Sequence, residues 1–163
     1  MDISEFIVVE EVDDPSLADA LFQRGYRRDA PKFPHHIIAF YVRDDGSRVP
    51  VSYVHFTDCN DIWLAGGAAT DGDVLRSMKH EQQKALRDFG GLMLATLRYG
   101  FEHYGPKCEA IFTCCGDARA LATTPKLGFS ETGVQYLLVN FLRDSTDRRK
   151  RELTAKAASF MPF

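Results

Sequence analysis

Three stretches of this chain carry residue types that could do chemistry. Cys114-Cys115-Gly116-Asp117 sets two thiols and a carboxylate where the apolar run Ala110-Ile111-Phe112 gives way to a helical pattern. A helix N-terminus favours thiolate, so Cys115 is a candidate nucleophile, and a buried, inert thiol is the plainer reading. Arg87-Asp88-Phe89-Gly90-Gly91-Leu92 sets a guanidinium and two glycines ahead of a second helical run. Such a junction can present backbone N–H groups and a positive dipole end to an anion, or it can ease helix–sheet packing. His55 lies in the apolar run from Val49 to Phe56, with Asp58 and Asp61 just beyond it. It is a candidate general base, although a lone histidine in a strand also serves as a hydrogen-bonded wall residue.

The elements that must position these groups follow from periodicity. Phe6 to Val9 is a β-branched first strand, and Asp14-Pro15-Ser16 starts a helix that Gly25 ends. Residues 26–36 form a basic, proline-containing loop suited to facing a substrate. Three strands follow as a meander: Ile37 to Val42, Val49 to Phe56, and one opening at Ile62-Trp63-Leu64. Asp44-Asp45-Gly46-Ser47 and Asp58-Cys59-Asn60-Asp61 are the turns between them. Gly66-Gly67 inside the third strand calls for a bulge or a close backbone approach. Segment 71–86 is polar and ends in a helix, and Leu92 to Tyr104 is a buried helix stopped by Gly105-Pro106. Asp117 caps a short helix from Ala118, Gly128 takes the turn that leaves it, Phe129 plugs the core, and Tyr136 to Leu142 is the final strand. The order predicts one α+β, mixed α/β domain over residues 1–143, followed by a charged tail or helix over 144–163.

Composition narrows the function classes. The 163 residues are 45% hydrophobic, enough for one core and too few for two ordinary domains. A net charge of −3 supplies no field that draws the chain to nucleic acid or to a membrane. The cluster Arg148-Arg149-Lys150-Arg151 is interleaved with acids and reads as a solvated helix face. Cys59, Cys108, Cys114 and Cys115 show neither metal-ligand spacing nor a secreted disulfide framework, so no metal is expected. The N-terminus lacks the pattern of a signal peptide, and a cytoplasmic location is expected. The apolar residues of the Ala155 to Phe163 segment could make it an exchanged or docking segment, or the contact of a homodimer.

The stretch from Asp117 to Phe129 resembles the closing motif of the GNAT superfamily of acyl-CoA-dependent N-acyltransferases, N-x-x-A-x-x-x-Y-x-K-x-G-F. Ala120, Lys126, Gly128 and Phe129 match it, Asp117 stands in the Asn position and Thr124 in the Tyr position. The order of elements over residues 6–142 is similar as well. The resemblance implies a bulged central strand and a slot for the pantetheine arm of acetyl-CoA. It further implies that Ala68, Ala69 and Thr70 hold the pantetheine and thioester by their backbone. The family's Q/R-x-x-G-x-G/A phosphate motif falls on Arg87, Gly90 and Leu92, with Gly91 adding backbone access. Residues 71–86 lengthen the passage to that motif, and Arg76 could take the place of the family's arginine there. That segment could cover the cofactor, contact its 3′-phosphate or disable the site.

For chemistry, the resemblance implies a small-molecule or peptide amine acceptor, with His55 on a strand that faces it. The family's acid is the tyrosine that Thr124 replaces, and an aliphatic hydroxyl is a far poorer acid than a phenol. Cys115, Tyr136 and a water held by Asp117 are the substitutes. The alternative is a non-catalytic acyl-CoA-binding or interaction domain of the same fold.

Overall fold

The computed structural model describes residues 1–116 and 118–163, without the side chains of 118–120. Asp117, expected as a helix cap and as a cofactor contact, lies outside the described residues.

Seven strands form one sheet in the order β1-β2-β3-β4-β5-β7-β6. They are β1 (Ile7–Val12), β2 (His35–Val42), β3 (Arg48–Asp58), β4 (Ile62–Thr70), β5 (Ala110–Cys114), β6 (Ser130–Glu131) and β7 (Leu137–Phe141). Every neighbouring pair is antiparallel except β4 and β5, which run parallel. The expected meander is therefore β2-β3-β4. Local chemistry sets its turns, since the Asp45 carboxylate accepts from the Ser47 N–H and the Asp58 carboxylate from the Asn60 N–H, both at 2.8 Å. The mixed sheet followed by α-β-α-β agrees with the sequence reading; the two-residue β6 had no signal there.

Alternation along the strands divides the helices between two faces. Ile37, Ala39 and Tyr41 face α3 (His80–Phe89) and α4 (Leu92–Tyr104), whereas Ile38, Phe40 and Tyr53 face α1 (Asp19–Tyr26). The α1 face continues beneath α6 (Asp147–Ala158), where Leu153 and Ala157 pack on Ile62, Leu64, Phe112 and Leu137.

Three expectations change in detail. The first helix runs past Gly25 to Tyr26 and ends on Arg27, which takes the left-handed conformation at φ 54°. Segment 71–86, expected as a polar stretch ending in a helix, holds a further helix and contributes to the core. Asp71 caps α2 (Gly72–Ser77) by accepting from the Asp73 and Val74 N–H groups. Val74, Met78 and Leu86 then bury against Phe6, Ile7 and Tyr41. The basic cluster after residue 147 is also more than a solvated face. Arg149 spans Asp61 and Glu109 at 2.7 Å each, and Lys156 reaches Asp61 at 2.5 Å, which ties α6 to the start of β4. No helix among the described residues is long and apolar enough to cross a membrane.

Candidate functional site

The parallel ladder between β4 and β5 runs from Ile62↔Ala110 to Ala65↔Thr113 and stops, although β4 continues to Thr70. Beyond Ala65 the two strands are a fork. The cause lies on the other edge of β4. Tyr53 pairs with Ala69 and His55 with Gly66, so β4 spends three steps where β3 spends two. One extra residue bends a strand away from its neighbour. Gly67 absorbs it at φ +62°, and a Cβ there would lie 2.5 Å from the His55 ring. The bulge is pinned from outside by Tyr26, whose hydroxyl donates to the Ala68 carbonyl at 2.6 Å. At the root of the fork the Thr113 hydroxyl donates to the Ala65 carbonyl at 2.9 Å. The double glycine thus does what its position suggested.

The backbone groups expected to hold a pantetheine arm are only partly open. Ala68, Ala69 and Thr70 line the unpaired edge of β4. The Ala68 carbonyl is already engaged by Tyr26, and Ala69 is packed beneath α1. Tyr26 carried no sign of this contact in the sequence, because its partner is far away along the chain.

On the α4 face, Arg76, Arg87, Gly91 and Leu92 come together around a cleft of about 190 Å³ with Leu75, Gln83 and Leu86. Four of the expected cofactor contacts thus meet at the start of α4, whose N-terminus carries no side-chain cap among the described residues. Its first N–H groups, from Leu92 onward, are the orphans that an anion satisfies. Gly90 and Gly91 also close the preceding helix. The Gly90 N–H donates to Leu86 and Arg87 at 3.1 Å, and the Gly91 N–H to Leu86 at 2.8 Å, so both amides close the end of α3. Positive φ at both residues, 113° and 100°, makes the sharp joint that turns α3 into α4. Lys126 joins this corner, its Nζ 3.5 Å from where a Gly90 Cβ would stand. It is a motif residue that the sequence could not place beside α4. Arg76 also pairs with Asp73.

His55 lies on the opposite, α1 face. It is buried, stacked on Phe33 at 3.6 Å between ring centroids, and neither ring nitrogen has a hydrogen-bond partner among the described residues. Burial pushes its pKa down to about 3, with neighbouring His36 adding to the effect, so the ring is neutral at ordinary pH. His36 itself is lowered by burial and bonds the Tyr53 hydroxyl at 2.7 Å.

Cys115 and Tyr136 are together but apart from His55. The Cys115 N–H donates to the Tyr136 carbonyl at 2.8 Å, and both residues line a shallow cleft with Leu121 and Val134 where β5 ends and β7 begins. Tyr136 is exposed and Cys115 buried. No histidine stands among the described residues that line that cleft. Thr124 is buried at the start of a 3-10 turn (Thr124–Leu127) after α5 (Ala118–Thr123), and Gly128 leaves that turn in the left-handed conformation before buried Phe129. The helix–turn–plug reading of the motif therefore stands from Ala118 onward.

No family model and no curated protein matches the sequence. Solved structures do match the fold. A candidate acetyltransferase from Pyrococcus horikoshii aligns with 78% of this chain at TM-score 0.55 and 13% identity; this chain spans 44% of that protein's length. The ribosomal-protein-S18-alanine N-acetyltransferase from Escherichia coli aligns at TM-score 0.55 and 11% identity, over 86% of this chain and 97% of its own. A candidate acetyltransferase from Exiguobacterium sp. 255-15 aligns at TM-score 0.51 and 12% identity, over 94% and 98%.

Proposed function

With the fold of the GNAT acyltransferases as its premise, we propose that this chain is an acetyl-CoA-dependent N-acyltransferase. The observation that carries the reading is the fork: β4 and β5 part after Ala65↔Thr113 because a glycine bulge bends β4. A fork beside an uncapped helix N-terminus suits a long thioester cofactor with a polyanionic end. Leu92 and the amides after it, with Arg76, Arg87 and Lys126, would hold the phosphates. The β4 edge from Gly66 to Thr70 would hold the pantetheine arm. The cofactor supplies an activated acyl carbon; everything else is asked of the chain.

On the α1 face, His55 offers one unpaired ring nitrogen as an acceptor for an amine N–H. With a pKa near 3 it orients the amine more than it removes a proton, so the acceptor must arrive as the free base. Buried Thr124 does not supply the acid, and Tyr136, exposed beyond the end of β5, is the candidate phenol. The acceptor is a small-molecule or peptide amine.

Calorimetry with acetyl-CoA and desulfo-CoA tests the cofactor. Binding of both is expected, and binding of neither overturns the reading. The non-catalytic acyl-CoA-binding alternative draws on Thr124 in place of a phenol; binding without thiol release across a panel of primary amines would favour it.

A further inference from the structure

The mouth of the fork on the α1 face is filled by the chain itself. After α6, the Phe160 and Met161 N–H groups close the helix end on Ala157 and Ala158, and the next residues turn back toward β4. Phe163 arrives where the strands have just separated. A Cβ on Gly66 would lie 2.5 Å from the carbonyl carbon and oxygen of Phe163 and 3.0 Å from Nε2 of His55. Across the fork, Cys114 and Phe163 both pack against the cluster of Leu64 and Phe112. Gly66 and Cys114 are the first residues after the last ladder pair, Ala65↔Thr113. One short segment therefore bridges both arms of the fork at its root, beside the unpaired ring of His55.

Two features say that this bridge can open. The segment is lightly held: Met161 and Phe163 are half-buried against the Leu64–Phe112 cluster, and Phe160 is exposed. The helix that delivers it is held firmly, by Arg149 and Lys156 on Asp61 and Glu109. Release of residues 160–163 leaves that anchor intact.

We propose that residues 160–163 are a self-bound plug that must leave the fork before an amine acceptor reaches His55, so the chain controls access to its own site. The gating role rests on the acyltransferase reading; the placement of the plug does not. Absence of a side chain at Gly66 is what lets the plug seat.

The experiment compares the full chain with one lacking residues 160–163, and with Gly66→Ala. Its first readout is the alkylation rate of Cys114 by N-ethylmaleimide, assigned by peptide mass mapping, with thermal melts to confirm folding. The half-buried Cys114 packs on the same cluster as Met161 and Phe163 and burial pushes its pKa up, so both variants are expected to label about 10-fold faster than the full chain. Equal labelling in folded variants overturns the plug, whatever the cofactor does. The second readout is acetyl-CoA-dependent thiol release over a primary-amine panel, where the truncated chain is expected to turn over at least about 5-fold faster. Faster labelling with equal cofactor binding and unchanged release overturns the gating. If neither form binds acetyl-CoA, the acyltransferase reading falls and gating with it, while labelling still decides whether the plug is seated.

Discussion

The two ends of the fork are built from opposite materials. At the start of α4 the side chains are cationic and in water: Arg76 and Arg87 line an open cleft, and Lys126 reaches in from the turn after α5. At the other end the side chains are neutral and dry, with His55 buried between Phe33 and the bulge. The difference matches what each end would meet. A polyanion is attracted by exposed cations and keeps part of its hydration, whereas an amine reacts only as the free base, which a dry neutral pocket favours.

Substitution at the dry end should cost most. His55→Gln is expected to lower kcat/KM by about 100-fold while leaving acetyl-CoA affinity within about 2-fold, read from thiol release and calorimetry together. An unchanged rate would remove His55 from the acceptor site.

Charge removal at the wet end should act on affinity instead. Arg87→Ala combined with Lys126→Ala is expected to raise the acetyl-CoA Kd by about 30-fold, with the loss shrinking in about 1 M salt. If Kd holds and kcat falls, the two ends do not divide the labour as described.

The pH dependence of stability sharpens the contrast further. Folded His55 has a pKa near 3, well below the ordinary value of 6.5, so between those values the unfolded chain binds a proton that the folded chain refuses. This contribution is fully present above about pH 6.5 and is lost as pH falls toward the folded pKa. Urea denaturation at about pH 7 and about pH 4.5 should show the wild type losing about 2.5 kcal/mol more than His55→Phe. Equal losses would mean that His55 protonates in place.

The smallest effect is expected at Thr124, which belongs to neither end. Thr124→Ala should change kcat by less than about 3-fold, since its buried hydroxyl is too weak an acid to serve a leaving thiolate. A drop of about 100-fold with intact cofactor affinity would give this threonine the catalytic part denied to it here.

How much of this was legible in the sequence depends on the range of the interaction. The bulge could be read because Gly66-Gly67 breaks a strand pattern within two residues. The turn from Thr124 to Phe129 could be read because Pro125 and Gly128 fix backbone angles locally. The glycine joint ahead of α4 was also visible, but not that its amides close the preceding helix. Gly90 and Gly91 look like free donors until α3 is seen to end on them, and the helix expected at the end of the polar stretch gave no sign of running on to Phe89. Contacts between distant residues left no trace: Tyr26 with Ala68, Phe33 with His55, Lys126 with the α3–α4 joint, and Phe163 with Gly66. Periodicity reports which face a side chain takes, and such pairings depend on where whole elements land.

The fork also has an optical consequence. Trp63 is the only tryptophan of the chain, and it sits on β4 within the paired root, facing Ile111 on β5 and Asp58 on β3. Its indole is buried and stacked on Tyr104 at 4.0 Å and 6°. Emission excited at the red edge, where the tyrosines do not absorb, is therefore emission from one ring, three residues from Gly66. Any event that spreads or closes the strands reaches that ring through the backbone, so opening of the fork can be followed in solution by fluorescence without a label.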